Sequence, residues 1–242
     1  MGLVHPKSLA ATVDAVNEVL FFSWPLRVAE KTQAARWIAS RQGLPGSYAG
    51  MPAPTELDFA TGLRVFTGER MRSGGGLAHV LGEEACRALR ALGPSSVATR
   101  EALERAEAGM ALRLQRDRYA TTGRYCCYTC SVALWRNLAG GGLGGGEELL
   151  AAGLRHLRDF RDGKGRWRGF PFWYTVLSLS EMSVAAAADE LEYATRVLQR
   201  PLRGTREGDQ YATRRRVLAQ RVLGRLGISL SQTERHGSPP KE

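Results

Sequence analysis

Two short stretches, 119 residues apart, follow one pattern. Gly46-Ser47-Tyr48-Ala49-Gly50-Met51-Pro52 and Gly165-Arg166-Trp167-Arg168-Gly169-Phe170-Pro171 both read Gly-x-aromatic-x-Gly-(Met/Phe)-Pro. Each part has a mechanical reason. A glycine ends a helix in a left-handed conformation. The aromatic folds back over that helix end and excludes water. The second glycine and the proline turn the chain into the next helix, whose first turn suits proline. The pattern predicts a helix-turn-helix hairpin with an aromatic staple, and hairpins of this kind bury their apolar faces by stacking. The match runs backward through Ala35/Leu154 and Ile38/Leu157 on the preceding helices.

Helical periodicity dominates the remaining sequence, as in Leu9, Val13, Val16 and Leu20. Strand-like alternation closed by hairpin turns is scarce. Helices are predicted near 8–22, 26–42, 55–67, 77–92, 99–119, 121–139, 147–161, 172–183, 185–199 and 208–226. Thr55, Ser96, Thr99 and Thr205 suit cap or turn positions. Gly140–Gly146 and Gly74-Gly75-Gly76 read as flexible connectors. The first contains GxGxxG, yet no strand precedes it and Glu147-Glu148 follow where a phosphate wants amides and a positive field. The expected organisation is one all-α domain over 1–230. It has two similar halves, about 1–139 and 147–230, joined by 140–146, and a disordered tail at 231–242.

The repeated unit resembles the QW repeat of the terpenoid cyclase and protein prenyltransferase superfamily. Ala34-x-x-Trp37-Ile38-x-x-x-Gln42-x-x-x-Gly46-x-Tyr48 carries the resemblance in the first copy. Gly153-x-x-His156-Leu157-x-x-x-Arg161-x-x-x-Gly165-x-Trp167 carries it in the second, followed by Gly169-Phe170-Pro171-Phe172-Trp173-Tyr174. The first copy keeps glutamine and replaces tryptophan with Tyr48; the second keeps tryptophan and replaces glutamine with Arg161. The resemblance implies an α/α-toroid of inner and outer helices, with 55–67 and 172–183 as inner helices lining a cavity. A complete barrel of that family is longer than 242 residues, so a partial or reduced toroid is expected, closed by the C-terminal helices or a second subunit. The implied ligand is isoprenoid-like and apolar, walled by Tyr48, Phe59, Trp167, Phe170, Trp173 and Tyr174. Ordinary core packing is the competing role for these aromatics. The family's Asp-x-Asp-Asp acid motif and Asp-rich metal motifs are not found in the sequence. Asp58 is the remaining candidate general acid, if burial raises its pKa; an acid in a first helical turn also simply favours the helix dipole.

Cysteine use points elsewhere. Three of the four cysteines fall within Tyr125-Cys126-Cys127-Tyr128-Thr129-Cys130, which is no disulfide framework. Cys127 and Cys130 have Cys-x-x-Cys spacing, and a zinc ion would need an imidazole from His156 or His79. Buried thiols packed on a helix, or a redox pair, are the alternatives.

Charge sets a second functional class beside the ligand-binding one. The chain holds 34 Lys+Arg against 24 Asp+Glu, a formal net charge of +10, and only four of its basic residues are lysines. Arginine favours planar, bidentate or stacked contacts. Residues 200–242 alone contain ten Lys/Arg against four acids. Arg214, Arg221 and Arg225 form one stripe of the last helix and are candidate contacts for an acidic protein partner or nucleic acid. The chain would then be a non-catalytic scaffold. At 43% hydrophobic residues it has enough apolar side chains for a packed core. Val19–Leu26 is too short to span a bilayer and contains Pro25, and no charged leader with a cleavage site is seen, so a cytoplasmic protein is expected.

Overall fold

The computed structural model describes residues 2–71, 73–94, 96–116, 121–144, 146–183, 185–200 and 208–228. Those residues form an all-α structure. Its helices are α1 (Leu9–Phe22), α2 (Val28–Ala39), α3 (Glu56–Thr61), α4 (Gly74–Leu92), α5 (Val97–Arg116), α6 (Tyr128–Ala139), α7 (Glu147–Asp159), α8 (Phe172–Ser180), α9 (Ala185–Leu198) and α10 (Gln210–Arg225). Two antiparallel two-residue strands, β1 (Leu63–Arg64) and β2 (Arg70–Met71), make a small hairpin. None of the described helices is long and apolar enough to cross a membrane.

The repeat reaches further back than its sequence motif. At the same 119-residue offset, α6 repeats α1 and α7 repeats α2. The helix starts share one pattern of hydrogen bonds. Ser8 Oγ accepts the Ala11 N–H at 2.9 Å, and Cys127 Sγ accepts the Cys130 N–H at 3.2 Å. Thr12 and Ser131 each donate a hydroxyl to the cap residue's carbonyl and accept a backbone N–H from upstream, His5 and Tyr125 respectively. Both helices therefore start on a side-chain cap that satisfies otherwise orphaned N–H groups. The second copy thus begins near Cys127. Segment 140–146 joins α6 to α7 inside it, rather than joining two halves.

In the repeated turns, Gly46 and Gly165 have φ of 85° and 90°, and Gly50 and Gly169 have 75° and 79°. All four sit in the left-handed region that favours glycine. They shape the turn itself: α2 and α7 have already ended at Ala39 and Asp159. Each turn is tied to the helix that follows its hairpin. Gln42 Oε1 accepts Arg105 Nε of α5 at 2.9 Å, and Arg161 and Trp167 both donate to Glu190 of α9, at 3.0 and 2.8 Å.

Helix α4 is buried nearly all round, with Leu77, Val80, Leu81, Cys86 and Leu89 in the core, as befits a helix with neighbours on several sides. It packs against α1, α2, α5 and α6. The contacts α1–α4, α4–α6, α6–α8 and α8–α10 follow in series. Helix α10 returns to α1, because Arg214 bonds Asp14 and Arg221 bonds the Phe21 carbonyl. Five helices thereby make a closed cycle. Helix α5 buries a single stripe, Ala102, Ala106, Met110 and Leu114, and so packs from one side only.

Several elements differ from expectation for local reasons. The helix at 55–67 stops at Thr61, where Gly62 takes φ 74°, and the β1–β2 hairpin follows. Helix α3 is therefore only six residues long, and it is α4 that contacts α1 and α6 in this series. Residues 121–127 are turns, because α6 starts on the Cys127 cap. Gly74-Gly75-Gly76 is no linker but the first turn of α4, capped by Ser73. Thr55 and Ser96 do cap helix starts. Thr205 and the tail 231–242 lie outside the described residues.

Candidate functional site

Where α1, α4, α6 and α8 meet, the chain buries a network of charges. Glu84 and Arg87 stand on α4, Arg136 on α6, Tyr174 on α8, and Glu181 caps the end of α8. Arg136 donates Nη1 to Glu84 at 2.5 Å, and Nε and Nη2 to the two oxygens of Glu181 at 2.8 and 2.9 Å. Arg87 donates to Glu181 at 2.7 Å and to Asn17 Oδ1 at 3.0 Å. Asn17 returns its amide to Glu84 at 3.0 Å, and the Tyr174 hydroxyl donates to the other Glu84 oxygen. Asn17 and Arg136 are repeat equivalents, so matching positions on α1 and α6 converge on one carboxylate oxygen.

Two carboxylates and two guanidiniums balance in this network. Burial alone would push the Glu84 carboxyl up, but Arg136, Arg87 and the Tyr174 hydroxyl outweigh it and hold it below its ordinary value. Arg136 is likewise held well above the usual arginine range, because Glu181 and Glu84 more than offset its burial. The Tyr174 hydroxyl is driven up by burial and by the Glu84 charge.

Above the network lies a cavity of about 240 Å³, to which α1, α4, α6, α8 and α10 all contribute. Leu20, Phe21, Leu177, Leu218 and Val222 make its apolar wall. Its rim carries Arg221 and Arg225. Arg221 donates to the Phe21 carbonyl at 2.5 Å and Arg225 to the Ser180 carbonyl at 2.9 Å, near the C-terminal ends of α1 and α8. Carbonyls carry only partial charge, so among the described residues these contacts leave two positive charges at the rim beyond the balanced network below. Each guanidinium has five N–H donors, and the carbonyl takes one.

The aromatics singled out from the sequence fall into separate clusters, and none lines this cavity. Tyr48 stacks on His79, with its hydroxyl 2.5 Å from that of Tyr125. Phe59 is exposed beside Gly46. Trp167 stacks on Phe172, and Trp173 meets Phe172 edge to face. Phe170 packs among Tyr128, Trp135 and Phe160. Tyr174 spends its hydroxyl on Glu84.

Asp58 is a structural clamp rather than a poised acid. Its carboxylate accepts the N–H groups of Leu9, Ala10 and Thr55 and the hydroxyl of Ser8, at 2.6 to 3.2 Å. It thereby ties the start of α3 to the start of α1. Arg214 is 1% exposed, paired with Asp14 and Glu18 and laid over the Phe66 ring. The proposed partner stripe thus loses its first member to the interior, and Arg221 and Arg225 belong to the cavity rim. The expected metal ligands are also rearranged. Cys127 caps α6 and His156 packs on Phe160, whereas Cys130 lies with Cys126 and His79.

Sequence reasoning missed Asn17, Glu84, Arg87 and Arg136. One signal was available: the 119-residue offset pairs Asn17 with Arg136, two polar residues on otherwise apolar helix faces. No protein-family model matches the sequence, and no curated protein or solved structure matches it.

Proposed function

We propose that the chain is a reduced α/α-toroid that binds a small amphiphilic anion, an isoprenoid-type molecule with a phosphate or diphosphate head, at the mouth of its helical cycle. The observation that carries this reading is the pair Arg221 and Arg225, which form no ion pair among the described residues and stand beside an apolar wall. The closed order of contacts α1–α4–α6–α8–α10 supports the toroid. A volume of about 240 Å³ is below the ~300–1,000 Å³ of typical drug-sized pockets, which favours a short-chain ligand or the head of a longer one. Guanidinium forks match phosphate oxygens well. The charged groups on the cavity floor, Arg87, Arg136 and Glu181, already pair with one another, which favours binding over proton transfer.

Calorimetric titration with isopentenyl diphosphate, inorganic pyrophosphate and isopentenol tests the reading. The diphosphate ester is expected to bind more tightly than either fragment. The Arg221→Ala/Arg225→Ala double variant should lose about tenfold or more in affinity, since hydrogen bonds to charged groups are worth ~1.5–3 kcal/mol each. An ester that shows no binding at ~1 mM, equivalent to about −4 kcal/mol, overturns it.

A further inference from the structure

A second constellation lies away from the arginine-lined mouth. His79, in the first half of α4, is fully buried, with its ring centroid 4.6 Å from Tyr48 and 4.4 Å from Tyr125. Its Nε2 is 3.2 Å from Glu83 Oε1, and the other Glu83 oxygen accepts the Asn137 amide at 2.6 Å. A carboxylate at Nε2 draws the ring proton there and leaves the lone pair on Nδ1. That Nδ1 is buried and has no hydrogen-bond partner among the described residues. Leaving such a group unsatisfied costs ~1–3 kcal/mol, which asks for an occupant. Beside the imidazole lie the thiols of Cys126 and Cys130, and the three ligand atoms fall within 4.8 Å of one another.

We propose that His79 Nδ1, Cys126 Sγ and Cys130 Sγ bind a borderline-soft divalent cation of the zinc class. Two elements bring the ligands together: α4 supplies the imidazole, and the start of α6 supplies both sulfurs. Zinc with bonds of ~2.3 Å to sulfur and ~2.0–2.1 Å to nitrogen separates tetrahedral ligand atoms by ~3.5–3.8 Å, so the observed cluster needs only a small contraction. Charge balances as well. Coordination releases one proton from each thiol, and the two thiolates with a neutral imidazole cancel the 2+ charge. Glu83, held by Asn137, orients the imidazole from behind. Three protein ligands leave a fourth position for water or another ligand, and Cys126, the outermost of the three, is exposed. Cys127 stays outside the ligand set, with its sulfur accepting the Cys130 N–H that starts α6.

The test uses full-length protein purified without chelators and without a histidine tag, analysed for metal and then titrated with Co²⁺ after demetallation. The expected result is ~1 zinc per chain, with a thiolate-to-cobalt charge-transfer band and the intense visible bands of a tetrahedral site. Cys126→Ser, at an exposed position, should keep the helical circular dichroism and lose most of the charge-transfer band. Cys127→Ser should keep the band, because serine also caps a helix. The proposal is overturned if native protein holds no zinc and demetallated protein gives no cobalt band, or if Cys126→Ser leaves the band unchanged. Isolation of a metal-free Cys126–Cys130 or Cys127–Cys130 disulfide from protein never exposed to oxidant also overturns it.

Discussion

Arg214 grips Asp14 with two parallel N–H···O bonds of 2.8 Å, although the two residues are 200 positions apart in the chain. This fork joins the last described helix to the first and closes the cycle of helices. Arg214 also donates to the Phe66 carbonyl at 3.1 Å and covers the Phe66 ring at 4.1 Å.

Replacing Arg214 by methionine keeps apolar bulk and removes the fork. Asp14 and Glu18 are each about a third exposed and can rehydrate, so the loss falls below the ~3–5 kcal/mol typical of a broken buried pair. A destabilisation of about 2–3 kcal/mol is expected from urea unfolding. A change below ~0.5 kcal/mol, the range of ordinary surface substitutions, would mean that α10 docks without the fork.

The buried network predicts a dependence on acid. Glu84 is depressed from its ordinary value of 4.5 in the folded protein. A depressed carboxyl contributes stability that is complete above the unfolded pKa and is lost as pH falls through the folded one. Unfolding free energy should therefore fall as pH drops below about 4.5, and Glu84→Gln should flatten part of that fall. At neutral pH the same variant should be less stable by about 2–4 kcal/mol, since Arg136 loses one of its two carboxylates. Denaturant titrations across pH, on wild type and variant together, decide it. Parallel acid profiles would remove Glu84 as a source of the pH dependence.

How far the sequence reveals this molecule depends on where each interaction is encoded. Helices such as α1 and α9 are legible because their apolar residues recur along one face. The start of α6 is not, because a cysteine cap carries no familiar signal although it sits where the first repeat has Ser8. Glycine propensity argues against a helix at Gly74, and the Ser73 cap together with burial of α4 from Gly76 onward overrides it. Glu84, Arg87 and Arg136 read singly as solvent-facing charges. Only packing brings them together, and sequence periodicity within one helix contains no information on a partner from another. The metal candidates show the same limit: Cys-x-x-Cys spacing singled out Cys127, whereas the fold places Cys126 beside His79.

Asp58 predicts a stability effect confined to its own position. Asp58→Ala removes the acceptor for three N–H groups and a hydroxyl at two helix starts. The expected loss is about 2–4 kcal/mol, more than one lost cap because two helices share the carboxylate. Glu56→Ala, exposed in the first turn of the same helix, should change stability by less than ~0.5 kcal/mol. Ligand binding at the arginine-lined mouth should survive in both variants. Thermal unfolding beside the isopentenyl diphosphate titration separates the outcomes, and loss of binding in folded Asp58→Ala would return this residue to the site.

The two repeated turns should differ in tolerance at one equivalent position. Gly50 and Gly169 share a left-handed backbone, with φ of 75° and 79°. A methyl group on Gly50 would meet only Gln42 Nε2 at 3.9 Å, ordinary contact, whereas one on Gly169 would overlap the Tyr128 ring. Gly50→Ala should cost the backbone term alone, about 1–2 kcal/mol. Gly169→Ala should cost that and a further ~1–3 kcal/mol for overpacking, because Tyr128 is held by Phe160 and Phe170 and cannot swing clear without disturbing both. Thermal unfolding of the two variants measures the difference directly. Equal losses would show that the Tyr128 cluster yields, and that the second turn is held by its ties to Glu190 rather than by the aromatic packing beneath it.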